Sequence, residues 1–358
     1  MPASDARIEE IRDWLGASPG WQRDCRLEPA SADASFRRYF RVWRADGATR
    51  VVMDAPPDKE DTAPYLHVTA LLAACGVHVP EIEAADTRRG LLRLEDLGRT
   101  HMLARLQSGA DPDPLYRQAL DALALMQLRG VAAADALAPY DRAVLLREMQ
   151  LLPEWYLARH MRAEASAEDR DVLARTFEFL IEEALVQPVV LVHRDYHSRN
   201  LMITAARSPG VIDFQDALAG PIAYDLVSLL KDCYVNWPRE RVEAWVSDYR
   251  RRLRAAGAPN GASAGQFLRW FDLIGLQRHL KVLGIFARLW YRDGKSGYLA
   301  DLPRTLDYVL DVAGRYAELA DFHAWARRRL AAPLPGANAR ALAEAGQGER
   351  AATHRPAT

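Results

Sequence analysis

The apolar rhythm of the chain changes at Asp96, Leu97 and Gly98, and that change limits what the sequence can fold into. Before it lie short runs rich in β-branched and aromatic residues. RRYFRVWR (37–44) and TRVVMDA (49–55) flank Ala45, Asp46, Gly47 and Ala48, the pattern of an antiparallel hairpin, and Pro56 and Pro57 stop the second run. Segments 80–85 and 91–95, joined by DTRRG, add two more strands. Residues 5–15, with Ser4 as cap, and 65–75, with Gly76 as stop, carry helical spacing. After Gly98 the period becomes helical, predicting helices over 115–128, 142–158, 168–185, 224–234, 240–255, 267–291 and 302–323. Three short strand patterns interrupt them, at 189–192, 201–204 and 210–214. From Ala331 the chain is rich in Ala, Pro and Gly without periodicity, which predicts a disordered tail. The expectation is an α+β fold of two lobes: residues 1–97 as a small antiparallel sheet with one main helix, 98–330 as a larger, mainly α-helical lobe, and 331–358 as tail.

A chain of 358 residues with 49% hydrophobic content has material for a sizeable core. Lys and Arg (47) balance Asp and Glu (48), so no global field recruits nucleic acid or an acidic membrane, and a small partner is expected; the oligomeric state is not legible. Cys25, Cys75 and Cys233 form neither a disulfide framework nor a CxxC metal motif, which favours a reducing compartment. MPASDARIEEIRDW lacks the basic and apolar regions of a signal peptide, and no apolar run reaches the roughly 20 residues of a membrane span. The cytoplasm is the expected location.

The polar chemistry gathers in LVHRDYHSRNLMI. His193, Asp195 and Asn200 make the pattern HxDxxxxN, and Asp213 follows in VIDFQD. Phosphoryl transfer needs an anion beside the acceptor hydroxyl, to orient it and take its proton, and Asp195 fits that role. It also needs hard oxygen ligands for Mg²⁺, and Asn200 and Asp213 supply one neutral and one anionic oxygen. The apolar residues on either side imply two short buried strands joined by a tight loop. His193 reads as packing and hydrogen-bonding support, since a metal pair with His197 would need a helix here. Asp225, at the start of an apolar helix, reads as a support for the loop backbone. His197, Arg199 and Asp216 are candidates for the acceptor side.

HRDYHSRN followed by IDFQDALAGPIAYDL resembles the aminoglycoside phosphotransferase and choline kinase-like family, whose loop reads HxDxxxxN with a later IDF or IDW and a YDL helix. SADASFRRYFRV, VVMDAPP, LEDLG and RDGKSGYLADLPRTLDY are similar to a narrower group, the anomeric kinases of N-acetylmuramate and N-acetylglucosamine in bacterial cell-wall recycling. The resemblance spans residues 5–330. It implies a protein-kinase-like fold, with a nucleotide-binding first lobe, a catalytic and acceptor-binding second lobe, and ATP and Mg²⁺ as cofactors. SADASFRRYFRV then stands where a kinase loop covers the nucleotide, with Ser35, Arg37, Arg38 and Arg41 as phosphate-side groups, and the backbone around Glu95 and Leu97 stands at the adenine edge. One departure is plain: Met53 occupies the place of the strand lysine, so an arginine of the 37–41 run is expected to supply its charge.

The implied reaction is transfer of the γ-phosphoryl group of ATP to the anomeric hydroxyl of an amino sugar, giving the α-1-phosphate. Trp155, Tyr156, Trp290 and Tyr291 are candidates to stack on the ring, though each such residue is more often core packing than a ligand platform. Three other readings stay open. An aminoglycoside acceptor, a polycation, sits poorly with an arginine-rich helical lobe; a choline-type alcohol needs an aromatic cage; and the missing lysine permits a non-catalytic nucleotide-binding protein, which retention of Asp195, Asn200 and Asp213 argues against. A protein kinase is disfavoured by VIDFQD, which lacks the DFG glycine.

Overall fold

The alternating 37–55 segment folds as its pattern predicts. In the computed structural model, which describes residues 6–32, 36–258 and 262–353, strands β2 (Arg38–Trp43) and β3 (Thr49–Asp54) pair antiparallel in register from Arg38 opposite Asp54 to Trp43 opposite Thr49. Gly47 sits in the turn at φ +85°, where a side chain would be strained. With β1 (Leu27–Ala32), β4 (Ile82–Asp86) and β5 (Leu91–Glu95) they form an antiparallel sheet ordered β1-β2-β3-β5-β4. Period-two alternation gives the sheet one apolar face. Phe40, Val42, Val52 and Leu91 pack there against Ile11, Trp14 and Leu15 of the helix Ala6–Gly16. Strand β1 was not expected; its sequence, LEPASA, has neither alternation nor β-branched residues.

The chain divides into two compact units, Met1–Gly130 with Ser198–Ala217, and Val131–His197 with Leu218–Thr358. The division is not the one at residue 97 read from the rhythm, because a short hairpin far along the chain belongs to the first unit. Leu201–Met202 pairs with Gly210–Val211. The Ile203 N–H reaches the Thr100 carbonyl (2.8 Å), and the Val211 N–H reaches the His78 carbonyl (2.7 Å).

The second unit is mainly helical and is built around the helix Ala264–Tyr291, whose residues from Phe267 to Phe286 are almost all buried. Among its described residues, one strand pair joins Val189–Val192 to Leu218–Pro221. The strands before and after the HxDxxxxN segment therefore belong to two different ladders and do not pair with each other, contrary to the single tight connection expected. Three helical expectations are also corrected. Pro153 lacks the N–H that would bond the Met149 carbonyl, so 142–158 becomes the α-helix Arg142–Met149 followed by a π-helix, Leu152–His160. The segment 302–323 breaks at Gly314 into Leu302–Ala313, a 3₁₀ turn at Ala317–Leu319 and Ala320–Ala326. The supposed tail forms a helix, Leu334–Thr353. Alanine favours helix intrinsically, and tertiary contacts supply the rest: Leu334, Ala337 and Ala341 are buried, and Asn338 Oδ1 meets His160 Nε2 at 2.8 Å. Among the described residues no helix is long and apolar enough to cross a membrane.

The central helix depends on one glycine. A Cβ at Gly284 would lie 2.4 Å from the carbonyl carbon and oxygen of Leu151, whereas one at Gly265 in the same helix would meet nothing within 4 Å. Gly284→Ala is expected to cost about 2 kcal/mol or more through overpacking. Gly265→Ala is expected to gain up to about 1 kcal/mol from helix propensity. Urea unfolding of the two variants checks the opposite signs.

Candidate active site

The loop after Val192 is fixed by a buried carboxylate. Asp225, fully buried in the helix Tyr224–Leu230, accepts the backbone N–H groups of His193 (2.6 Å) and Arg194 (3.0 Å). These bonds hold Arg194 in the left-handed region at φ +77°, where a non-glycine residue is strained by about 1 kcal/mol or more. Burial pushes the Asp225 carboxyl up to about 6 against the pull of His193 and the two N–H groups, so it remains ionised at neutral pH. The next N–H, that of Asp195, points to His193 Nδ1 at 3.3 Å. His193 is itself buried, and among the described residues no cluster of three or more His, Cys, Asp or Glu suits a metal ion.

Around Asp195 the second unit gathers cations that sequence reasoning did not single out. Arg194 and Lys281 both bond Glu148, Lys281 at 2.9 Å. The other Glu148 oxygen accepts the Tyr140 hydroxyl and Gln277 Nε2 (3.4 Å). Lys281 and Arg278 stand one turn apart on the helix Ala264–Tyr291, both buried. Burial would drive Lys281 towards its neutral form, but Glu148, Tyr224 and Asp195 together outweigh it and keep the amine protonated. Burial would likewise raise Asp195; Lys281, His197, Arg278 and Arg194 together reverse this and hold its carboxyl down at about 2. The signal in the sequence was a run of polar residues, Gln277, Arg278, His279 and Lys281, inside an otherwise apolar helix.

Asn200 and Asp213 come together in the first unit. The register of Leu201 opposite Val211 places Asn200 next to Ile212, whose N–H donates to the Asn200 carbonyl at 3.1 Å. Asn200 Nδ2 then donates to Asp213 Oδ2 at 3.2 Å, and Gln215 Nε2 to Asp213 Oδ1 at 2.9 Å. The hairpin thus converts a separation of thirteen residues into direct contact. Asp213 is also in the left-handed region, at φ +66°. Asn200 and Asp213 thus set a neutral amide beside a carboxylate, a pair of hard oxygen donors of the kind Mg²⁺ takes. The pair fits that ion.

The arginines expected to replace the strand lysine are differently employed. Met53 is fully buried on β3. Arg38 forks onto the buried Asp54 (3.0 and 2.6 Å), which Arg7 also bonds. Arg41 is buried and forks onto Asp96 (2.6 and 2.8 Å) and the Gly98 carbonyl (2.7 Å), tying β2 to the segment after β5. Arg37 has the looser ion pair, with Glu60 at 3.5 Å. Ser35 lies outside the described residues. The Glu95 N–H is committed to the Glu81 carbonyl (2.8 Å) and its carboxylate meets His78 Nε2 at 3.4 Å, while Leu97 packs close to Gly210, where a Cβ would lie 2.7 Å from Leu97 Cδ1.

The acceptor-side candidates are divided between the two units. His197 belongs to the second unit, where its ring meets Tyr234 edge-on at 5.5 Å; Arg199 and Asp216 are exposed residues of the first, the Arg199 carbonyl bonding His101 Nδ1. Of the aromatic candidates, Tyr156 is a fully buried core residue, and the Tyr291 hydroxyl meets His160 Nδ1 at 3.3 Å.

The sequence profile described as the phosphotransferase enzyme family matches residues 26–264. The chain belongs to that family. It is 48% identical over 328 residues to the N-acetylmuramate/N-acetylglucosamine kinase of Pseudomonas aeruginosa, covering 89% of this chain and 96% of that protein. It is 46% identical to the enzyme of the same name from Neisseria meningitidis, covering 88% and 93%. Among solved structures it resembles a choline/ethanolamine kinase family protein from Mesorhizobium loti, with a TM-score of 0.60 at 14% identity over 90% of this chain and 99% of that one. An ADP-bound aminoglycoside phosphotransferase gives 0.55 at 13% over 86% and 99%. The family resemblance and the kinase-like α+β fold expected from the sequence are both borne out.

Removing the Asp225 carboxylate leaves two buried N–H groups without an acceptor, and each such loss costs about 1–3 kcal/mol. Asp225→Ala is therefore expected to lower stability by about 2–5 kcal/mol, with Asp225→Asn intermediate because one oxygen remains. Denaturant unfolding at neutral pH checks the order.

Proposed function

We propose that the protein is an ATP-dependent kinase that phosphorylates the anomeric hydroxyl of N-acetylmuramate and N-acetylglucosamine to the α-1-phosphate, serving the reuse of cell-wall sugars. The observation that carries this reading is the 48% identity to a kinase of that name across 96% of its length.

The residues support it in named roles. Asp195, ionised and seated on a loop whose backbone is clamped by Asp225, orients the acceptor hydroxyl and takes its proton as the bond to phosphorus forms. Its low basicity suits a loose transition state, in which positioning counts for more than early proton abstraction. Asn200 and Asp213 would hold Mg²⁺, which supplies charge neutralisation on the nucleotide phosphates when bound. Arg37, ion-paired with Glu60, is assigned to the phosphates, since Arg38 and Arg41 are forked onto Asp54 and Asp96. With the Glu95 N–H already bonded, an adenine edge would be read at Asp96–Leu97.

The test is incubation with Mg-ATP and, separately, N-acetylmuramate, N-acetylglucosamine, choline and kanamycin, following ADP release and the phosphorus NMR of the product. Phosphate on the anomeric carbon is expected for the two amino sugars; turnover of kanamycin or choline alone contradicts the reading. Asp195→Asn is expected to lower kcat about 10²-fold to 10⁴-fold while ATP binding changes little.

A further inference from the structure

Every buried cation near Asp195 is satisfied by a carboxylate except one. Arg194 and Lys281 share Glu148. Arg278, 4% exposed, has no carboxylate within ion-pair distance among the described residues. Its single hydrogen bond there runs from Nη1 to the Cys233 sulfur at 3.9 Å, a weak acceptor. Its Nε and Nη2 are bonded to no protein group among the described residues. A guanidinium buried to this degree with a fork of unspent N–H groups is costly without an anion, and the fork matches a carboxylate in two parallel bonds.

The location narrows the anion. Arg278 is one turn from Lys281 on the same helix, and its charge is felt by both Asp195 and His197. His197 carries a second unsatisfied polar atom, a buried Nδ1 with no partner, and presents its ring edge-on to Tyr234. Both residues belong to the unit that holds Asp195, whereas Arg37, Leu97, Asn200 and Asp213, the groups assigned to the nucleotide and its metal, belong to the other. The unspent donors therefore suit a charge carried by the acceptor rather than the nucleotide phosphates.

We propose that Arg278 reads a carboxylate on the acceptor sugar, so that the protein favours N-acetylmuramate, through its 3-O-lactyl carboxylate, over the uncharged N-acetylglucosamine. This inference rests on the amino-sugar kinase reading above. Arg278 is a specificity residue: it binds the acceptor's side group while Asp195 orients the hydroxyl that reacts.

The experiment compares kcat/KM for the two sugars in the wild type, Arg278→Gln and Arg278→Lys. The ratio is the readout, because any part Arg278 plays in keeping Asp195 ionised affects both sugars alike, and any unfolded fraction cancels. The wild-type ratio is expected to favour N-acetylmuramate. In Arg278→Gln it should fall roughly 30-fold or more, mainly through KM for N-acetylmuramate, with part recovered in Arg278→Lys. An unchanged ratio, with both sugars losing equally, would place Arg278 in the shared phosphoryl-transfer machinery and overturn the proposal. Calorimetric binding of N-acetylmuramate to wild type and Arg278→Gln separates the two levels. Binding that depends on Arg278 without turnover of either sugar would uphold the carboxylate site and sink the kinase reading; absence of both binding and turnover would sink both.

Discussion

The second unit turns on Glu148, a buried carboxylate that receives Arg194, Lys281, Tyr140 and Gln277. Those partners come from the loop after Val192, the central helix and the segment preceding Arg142–Met149, so one side chain fixes three elements against each other. A buried ion group of this kind adds little net stability compared with an apolar replacement of equal shape, but breaking it by removing one member leaves unpaired charge and costs about 3–5 kcal/mol. Its value here is placement. Glu148 is the largest of the influences keeping Lys281 protonated, and Lys281 is the largest of those holding Asp195 ionised.

The sign of that effect matters for acid stability. The folded carboxyl of Asp195 lies below its unfolded value, so its ionisation favours the folded state above roughly pH 4, and the contribution is lost as pH falls through about 2. Asp225 runs the other way. Raised to about 6 by burial, it contributes fully below the unfolded value and loses that contribution as pH climbs through about 6. The loop is therefore held at neutral pH by a carboxylate kept ionised against burial through two backbone N–H bonds, beside another kept ionised by cations.

How much of this was legible follows from what local sequence encodes. The hairpin at 37–55 was readable because alternation and the Asp46-Gly47 turn act over a few residues. Asp195, Asn200, Asp213 and Asp225 could be singled out because their spacing is constrained by a loop and a short hairpin. Arg278, Lys281 and Glu148 could not, since a charged residue in a helix looks alike whether it faces solvent or a buried partner more than a hundred residues away, as Glu148 and Lys281 are. The helix Leu334–Thr353 was missed for a related reason: its alanines have helix propensity but no apolar stripe, and its order comes from contacts such as that of Asn338 with His160. The engagement of Arg38 and Arg41 was equally invisible, because it depends on strand register and on Asp54 and Asp96.

The central claim is that buried cations keep Asp195 ionised and ready beside the acceptor. Carbon-13 NMR titration of the aspartate carboxyls, with Asp195→Asn to assign the resonance, measures this directly in the protein without ligands. The Asp195 carboxyl is expected to stay ionised at pH 4 with no midpoint before acid unfolding, and Lys281→Met is expected to move the midpoint upward into the observable range. A wild-type midpoint at pH 4 or above, or one unmoved by Lys281→Met, would contradict the claim.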